Sequence, residues 1–396
     1  MASPNEFTAL VLGGSHAEVP IIADLQERGL RVVTTGNQPQ GLGHRFSDVY
    51  IPGDFSNWKE MEALAIECGA NAMVPGCNDF AMISATRVAE NLGFQGYDTV
   101  ENCLAIHHKD SFRKLQETLG IPHPTYVMVR RDEGIVGDLL DVRFPVLVKP
   151  VDLTGGKGIS ICQTHEEIPE AIDRAFERTR EKRLIIESFL PGSRHGITTL
   201  LLGQRVVFSF ADDEQYFHDP FLVSGTTTPS SLTVEQYAQA VEFIEAIATK
   251  LRLVDGLLHA QVILSSDQLH IIEICRRCPG DLYPTFVEWS TGFSYTRNIV
   301  NPFLGLPIGI LQENANRPVI RRCILARSNG TISGLAFQPP RSTVRFEVVN
   351  WRGVGDRVED FLTEKLGITF FELQDQSDLA RFRHSHESLV EAVIDV

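Results

Sequence analysis

The chain has 396 residues, 43% of them hydrophobic and 22% charged, which is enough to bury a large core and to divide into two or three domains. A formal net charge of −15 argues against nucleic acid as the main partner, because neutralising phosphates takes a clustered surplus of Lys and Arg. No window approaches the roughly eighteen uninterrupted apolar residues of a membrane span, and the opening MASPNEFTALVLGG lacks the basic start and apolar centre of a signal peptide. The expectation is a cytoplasmic protein with no membrane partner. The seven cysteines are scattered and odd in number, which suits reduced thiols better than a disulfide framework.

The first segment alternates apolar strands with helical stretches: TALVLGG, a helix over about Val19 to Arg28, LRVVTTG, a helix near Trp58 to Cys68, and AMVP. That rhythm predicts a parallel sheet. Gly13-Gly14-Ser15 ends the first strand where helix amides receive an anion, but no third glycine completes a dinucleotide fingerprint. A nicotinamide-dependent dehydrogenase is therefore poorly supported. Asn78 and Asp79, after AMVPG, are expected to cap a helix or to contact substrate.

A polar helix is predicted between Ile106 and Leu119, opening a second domain. Then come the strand TYVMV, an acidic helical stretch, the strand PVLVKP, a glycine-rich turn, the strand ISIC, a helix from Glu166 to Thr179 and the strand LIIESF. This unit is α+β with a flexible tip. Beyond it lie LLLGQRVVFSF, a polar loop from Asp212 to Ser231, a long helix over about Val234 to Leu251, and the strands LLHAQVIL and QLHIIEI, joined as a hairpin by Ser265-Ser266-Asp267. From Arg317 the patterns VIRRCILA, TVRFEVV and ITFFEL and a final amphipathic helix predict a small α/β or β-rich domain.

Chemistry concentrates in three places. In VLVKPVDLTGGKG a buried strand delivers Lys149 ahead of Thr154, Gly155, Gly156, Lys157 and Gly158; glycines let backbone amides approach phosphate oxygens, and an ammonium there neutralises them. The spacing is not that of a Walker A loop. In LLHAQVIL and LHIIEICRRCPGD, Gln261 and Glu273 fall on adjacent strands as oxygen donors suited to Mg²⁺, and Arg277 follows where a guanidinium can hold a phosphoryl group or a carboxylate. In RLIIESFLPGS a strand runs into Glu187, Ser188, Phe189 and Leu190, an apolar wall with free backbone groups of the kind an adenine needs. Each piece alone reads as readily as an ordinary hairpin, ion pair or connector. Cys275-x-x-Cys278 has half of a zinc spacing, with no second pair to complete it. Most histidines, His107, His108, His384 and His386 among them, read as surface or structural groups.

The three pieces in this order, preceded by Lys109, resemble the ATP-grasp superfamily over residues 106–305, and the first segment resembles the domain that precedes the grasp in those enzymes. The resemblance implies the following organisation: an N-terminal α/β domain at 1–105, an ATP-grasp domain at 106–310 with a mobile lid at about 122–187, and a small C-terminal domain at 311–396. It implies ATP and Mg²⁺ as cofactors, with Mn²⁺ as an alternative ion, and a small-molecule carboxylate and an amine-type acceptor as substrates. Relatives are often dimers, so a homodimer is expected. Lys109 and Lys149 would contact the phosphates, the loop Thr154 to Gly158 would close over them, Glu187 to Leu190 would line the adenine, and Gln261 and Glu273 would hold the metal. Arg277 would steady the transferring phosphoryl group beside Lys149. His218, Thr226, Thr228 and Gly280, with Arg277, are the candidates on the acceptor side, and Asp212 and Asp213 lie in the same loop. The family pattern E-x-N-x-R appears as Glu273, Cys275 and Arg277, with cysteine in the asparagine position, and Gln261 stands where many members have glutamate. Arg194 stands where many members have a ribose-binding glutamate. The implied activity is ADP-forming ligation of an amine to a carboxylate through an acyl phosphate. The altered metal positions motivate the alternative, a catalytically weak sensor of ATP or a metabolite.

Overall fold

The computed structural model describes residues 7–310, 315–383 and 389–395; His384 and His386 lie outside them. In chain order the first strands and helices are β1 (Thr8–Leu12), α1 (Val19–Glu27), β2 (Arg31–Gly36), β3 (Val49–Pro52), α2 (Trp58–Glu67), β4 (Ala72–Pro75), α3 (Asp79–Leu92), α4 (Val100–His107) and α5 (Lys109–Leu119). β1 to β4 make a parallel sheet in the order β3-β2-β1-β4. All five residues of β1 are buried, as a strand covered on both faces requires. The turn after β1 leads into a capping box: Ser15 accepts from the Ala17 amide while the Glu18 carboxylate reaches back to the Ser15 N–H.

Two helical expectations change here. The polar helix expected as one piece is split, because His108 adopts an extended conformation (φ −95°, ψ 120°) that ends α4 and caps α5. The 14-residue α3 was not anticipated as an element; Asn78 is its N-cap, accepting from the Phe80 amide, and Gly93 closes it in the left-handed region.

The middle of the chain gives β5 (Tyr126–Arg130), β6 (Gly134–Val136), β7 (Val146–Pro150), β8 (Ser160–Cys162), α6 (Ile168–Arg178) and β9 (Arg183–Ser188). These strands form a five-stranded sheet, β6-β5-β9-β7-β8, covered on one face by α6. The acidic stretch expected to be helical is instead β6, hairpinned to β5, and a short 3-10 turn at Leu139–Asp141. Gly134 and Gly137, at φ 76° and 118°, supply the reversals that a helix cannot contain.

Next come β10 (Ser193–Leu202), β11 (Arg205–Gln215), β12 (Gly225–Thr228), α7 (Val234–Leu251), β13 (Gly256–Ser265), β14 (Gln268–Cys275), α8 (Tyr283–Thr291) and α9 (Tyr295–Val300). The last elements are β15 (Val319–Ile324), β16 (Gly330–Phe337), β17 (Thr343–Asn350), β18 (Arg357–Val358), β19 (Gly367–Leu373), α10 (Leu379–Arg383) and β20 (Val390–Asp395). An eight-stranded sheet runs β14-β13-β10-β11-β12-β15-β19-β17, and β18-β16-β20 form a small second one. Part of the expected loop at 212–231 is therefore strand. Its Asp, Gln and Thr side chains are buried and each makes at least one hydrogen bond, although Asp212 Oδ1 has no partner, so polarity concealed the pleat. The end of the chain is not the amphipathic helix expected: β20 pairs with β16, and among the described residues after β19 the α-helix is α10. Because β12 pairs with β15, the large sheet continues across residue 311 without a break.

Candidate functional site

The five-stranded sheet faces the edge of the eight-stranded one across a cavity of 280 Å³. β7, buried along its whole length between β8 and β9, carries Lys149 into it. The Lys149 ammonium donates to Glu187 Oε2 at 2.7 Å, and Arg113 Nε donates to Glu187 Oε1 at the same distance. Burial pulls the Lys149 ammonium below its usual range against the pull of Glu187. Burial alone would raise the Glu187 carboxyl, but Arg113 and Lys149 bring it down to about 2. Arg113 is fully buried and also donates to the Gln116 side chain and the Ile272 carbonyl, so it fixes α5 and β14 to the strand that leaves the five-stranded sheet. Lys109, the first residue of α5, donates to the Leu153 carbonyl just ahead of the glycine turn. Gly155 and Gly156 take φ of 64° and 75°, a region that favours glycine. A Cβ on Gly156 would lie 2.7 Å from the Phe221 Cβ, so this turn rests on the loop between β11 and β12.

The floor is the β13–β14 hairpin. Its turn residues Ser266 and Asp267 both have positive φ, as a two-residue hairpin favours. Gln261 and Glu273 are direct cross-strand partners and both line the cavity. The Gln261 amide N–H donates to Glu214 Oε1 at 2.9 Å, and the Tyr216 hydroxyl donates to Glu214 Oε2. Among the described residues no three His, Cys, Asp or Glu side chains group closely enough to hold a metal alone. An oxygen set of one amide and neighbouring carboxylates nevertheless fits Mg²⁺, which keeps waters and shares substrate phosphates. Cys275 offers no oxygen: its thiol is buried, points to the Arg277 carbonyl at 3.5 Å, and is pushed up by burial to about 12.

Arg277 reaches the cavity from the end of β14 and is held by the first segment of the chain. Its Nε donates to Asp79 Oδ1 at 2.9 Å, and the same oxygen lies 2.8 Å from His107 Nδ1. Burial alone would raise the Asp79 carboxyl, but Arg277 and His107 hold it well below the usual range.

The far end of the cavity is lined by Arg321, His259, Tyr283, Asp281 and Lys365. Arg321, buried on β15, donates to Thr226 Oγ1 and to the Asp281 carbonyl. Tyr283 donates at 2.6 Å to Asp212, whose carboxyl burial pushes well above its usual range. Burial lowers His259 to about 3, so its ring is neutral, and its Nδ1 has no partner.

Of the residues singled out from sequence, Lys109, Lys149, Thr154, Gly155, Gly156, Glu187 to Leu190, Thr226, Gln261, Glu273, Arg277 and Gly280 line this one cavity. Four do not. Lys157 is exposed, and Gly158 packs against Pro150. Thr228 is buried with its hydroxyl on the Ala211 carbonyl, and His218 lines a neighbouring cavity with Nε2 3.0 Å from the Ala326 carbonyl. Arg113, Glu214 and Arg321 were missed. Arg321 was findable as a charge inside the apolar run VIRRCILA, whereas Arg113 in a polar helix carried no signal.

Two sheets thus close on one lysine-lined cavity over the β13–β14 hairpin. Residues 142–285 match the model of the ATP-grasp domain family, and the chain carries that domain and its fold. The fold extends over the whole chain. An L-amino acid ligase from Bacillus licheniformis superposes with a TM-score of 0.78 at 16% identity, covering 100% of both chains. A phosphoribosylglycinamide synthetase from Anaerococcus prevotii gives 0.75 at 16% identity, covering 99% of this chain and 100% of the other. The biotin carboxylase domain dimer of Hydrogenobacter thermophilus 2-oxoglutarate carboxylase, in complex with MgADP, ADP and bicarbonate, gives 0.75 at 19%, covering 98% and 91%.

Proposed function

We propose that this protein is a Mg-ATP-dependent ligase that activates a carboxylate as an acyl phosphate, releases ADP, and joins the acyl group to an amine or similar nucleophile. The observation that carries the reading is the convergence of Lys149, Gln261, Glu273 and Arg277, from two sheets, on one cavity. Three neighbours of like fold, a ligase, a synthetase and a carboxylase domain holding MgADP and bicarbonate, support the same chemistry.

In this reading Lys109 and Lys149 bind the phosphates, the turn Thr154 to Gly158 closes over them, and the backbone of Glu187 to Leu190 receives the adenine. Gln261 and Glu273 would hold Mg²⁺ or Mn²⁺, which would supply positive charge to offset that of the phosphates. A carboxylate oxygen attacks the γ-phosphorus as the bond to ADP breaks, with Arg277 balancing the charge on the phosphoryl oxygens. The closed glycine turn excludes water from the acyl phosphate. The amine then adds to the acyl carbon, Arg277 or Arg321 stabilises the tetrahedral oxyanion, and phosphate leaves. Thr226 and Gly280 belong to the acceptor end. We place the domain limits at 1–105, 106–310 and 311–396 with a lid at about 122–187, in a cytoplasmic protein that is a homodimer, as one neighbour is.

The test is release of ADP, AMP and phosphate by the purified protein with Mg-ATP and pairs of carboxylates and amines. ADP and phosphate that appear only with a particular pair support the reading, and AMP with pyrophosphate overturns the acyl-phosphate step. A second reading, a sensor that binds ATP without turnover, is favoured by the Cys275 thiol and Gln261 amide in the metal positions. Tight ATP binding with no turnover across the panel selects it.

A further inference from the structure

Beside the nucleotide cavity lies a second one of 480 Å³, which shares the walls Arg194, Glu214 and Tyr216 with the first. Three side chains lining it stand in a defined order. Ser193 Oγ is 2.8 Å from His195 Nε2, and His195 Nδ1 is 2.7 Å from Asp213 Oδ1. The fold builds this order simply. Ser193 and His195 are two apart on β10 and so share a face, and Asp213 on β11 is the direct cross-strand partner of His195.

The three groups differ in burial in the way an activated nucleophile needs. Ser193 is exposed, while His195 and Asp213 are 1% and 5% exposed. Asp213 is fixed by the Ser231 amide at 2.9 Å and by the Ser230 hydroxyl at 2.7 Å. Burial alone would raise its carboxyl, but these bonds and His195 bring it below the usual range, so it stays ionised and holds the Nδ1 proton. His195 Nε2 is then the acceptor for the Ser193 proton. Arg194 and Arg383 line the same cavity; Arg383 is ion-paired with Asp213, Nε to Oδ2 at 3.1 Å, which leaves Arg194 as the cation for a developing oxyanion.

We propose that Ser193, His195 and Asp213 form a second catalytic centre, a serine nucleophile that accepts acyl groups from activated esters and passes them to water. The Ser193 Oγ–acyl bond forms as the bond to the leaving group breaks. The Oγ proton moves to His195 Nε2 and on to the leaving group. Water then adds to the acyl-serine, giving up a proton through Nε2 and releasing a carboxylic acid. Asp213 acts as a positioning residue through His195. This centre is independent of the ligase reading, since none of its three residues lines the nucleotide cavity.

The experiment treats the full chain with a fluorophosphonate probe and maps the modified peptide by mass spectrometry, with p-nitrophenyl acetate hydrolysis in parallel. The expected result is a label on Ser193 and a loss of ester hydrolysis of about a hundredfold or more in Ser193→Ala and in His195→Gln. Asp213→Asn should lower kcat with KM unchanged, which a merely structural role would not do. Ser193 is exposed, so Ser193→Ala keeps its fold, verified by an unchanged melting temperature. An unlabelled Ser193 in the wild-type protein, or wild-type hydrolysis by folded Ser193→Ala, overturns the proposal.

Discussion

Arg277 Nε and Asp79 Oδ1 stand 198 positions apart in the chain and 2.9 Å apart in space, so a guanidinium that lines the cavity is oriented by the parallel-sheet segment. The pair is nearly dry, with Asp79 3% exposed. Breaking a buried pair by removing one partner leaves an uncompensated charge and costs about 3–5 kcal/mol. Asp79→Ala should therefore unfold at lower denaturant by about that amount, and its surviving folded fraction should lose ligation more than ATP binding. Denaturant melts with isothermal ATP titration separate the two effects.

Lys149→Ala should abolish ADP formation and leave the fold in place, because Glu187 retains Arg113. Circular dichroism and a coupled ADP assay check both halves. Full turnover by this variant would sink the phosphate-binding role.

Acid should expose the Glu187 cluster. With a folded-state pKa of about 2, against 4.5 ordinarily, the carboxylate contributes stability that is present above about pH 4.5 and is lost as pH falls through 2. A shift of about two units corresponds to about 3 kcal/mol. The stability difference between wild type and Glu187→Gln should be full at pH 6 and shrink towards pH 2, followed by urea melts.

Gln261→Glu sets two carboxylates against each other where an amide now donates to Glu214 at 2.9 Å. The variant should be destabilised by about 1–3 kcal/mol without metal, since like charges oppose and a hydrogen bond is lost. Mg²⁺ should recover more of its stability than it gives the wild type. Melting temperatures with and without Mg²⁺ decide this, and equal Mg²⁺ responses would remove Gln261 from the metal site.

Gly156→Val meets both a φ of 75° and the Phe221 Cβ at 2.7 Å. The turn should be held away from the cavity, weakening ATP binding by tenfold or more with little change in global stability. Fluorescence titration with a nucleotide analogue reads the loss.

The local chemistry of the grasp was legible in the sequence because it is carried by short, continuous pieces. The buried run VLVKP ends in Lys149-Pro150, and two glycines follow with the φ that only glycine takes easily; the turn at Ser266-Asp267 puts Gln261 and Glu273 on paired strands, but a register shift between Gln261 and Val262, which the sequence does not announce, sets them directly opposite each other. The parallel sheet was legible for the same reason, as β1, β2 and β4 are apolar runs separated by helical spacing. Polar strands were not. β12 reads GTTT, and its burial is explained by hydrogen bonds to β11 and β15 rather than by any apolar alternation.

Sequence by itself determined which short pieces carry the lysine, glycine, glutamine and glutamate side chains that line the main cavity and the order in which the elements are laid down, since both follow from neighbours along the chain. Tertiary structure alone decided the partners: Asp79 for Arg277, Arg113 for Glu187, Glu214 for Gln261, and Asp213 for His195. It also kept His218 and Thr228 out of the main cavity. The physical reason is that a buried charge must find an opposite charge or a hydrogen bond wherever the fold places one, and that position depends on how sheets pack, not on distance along the chain.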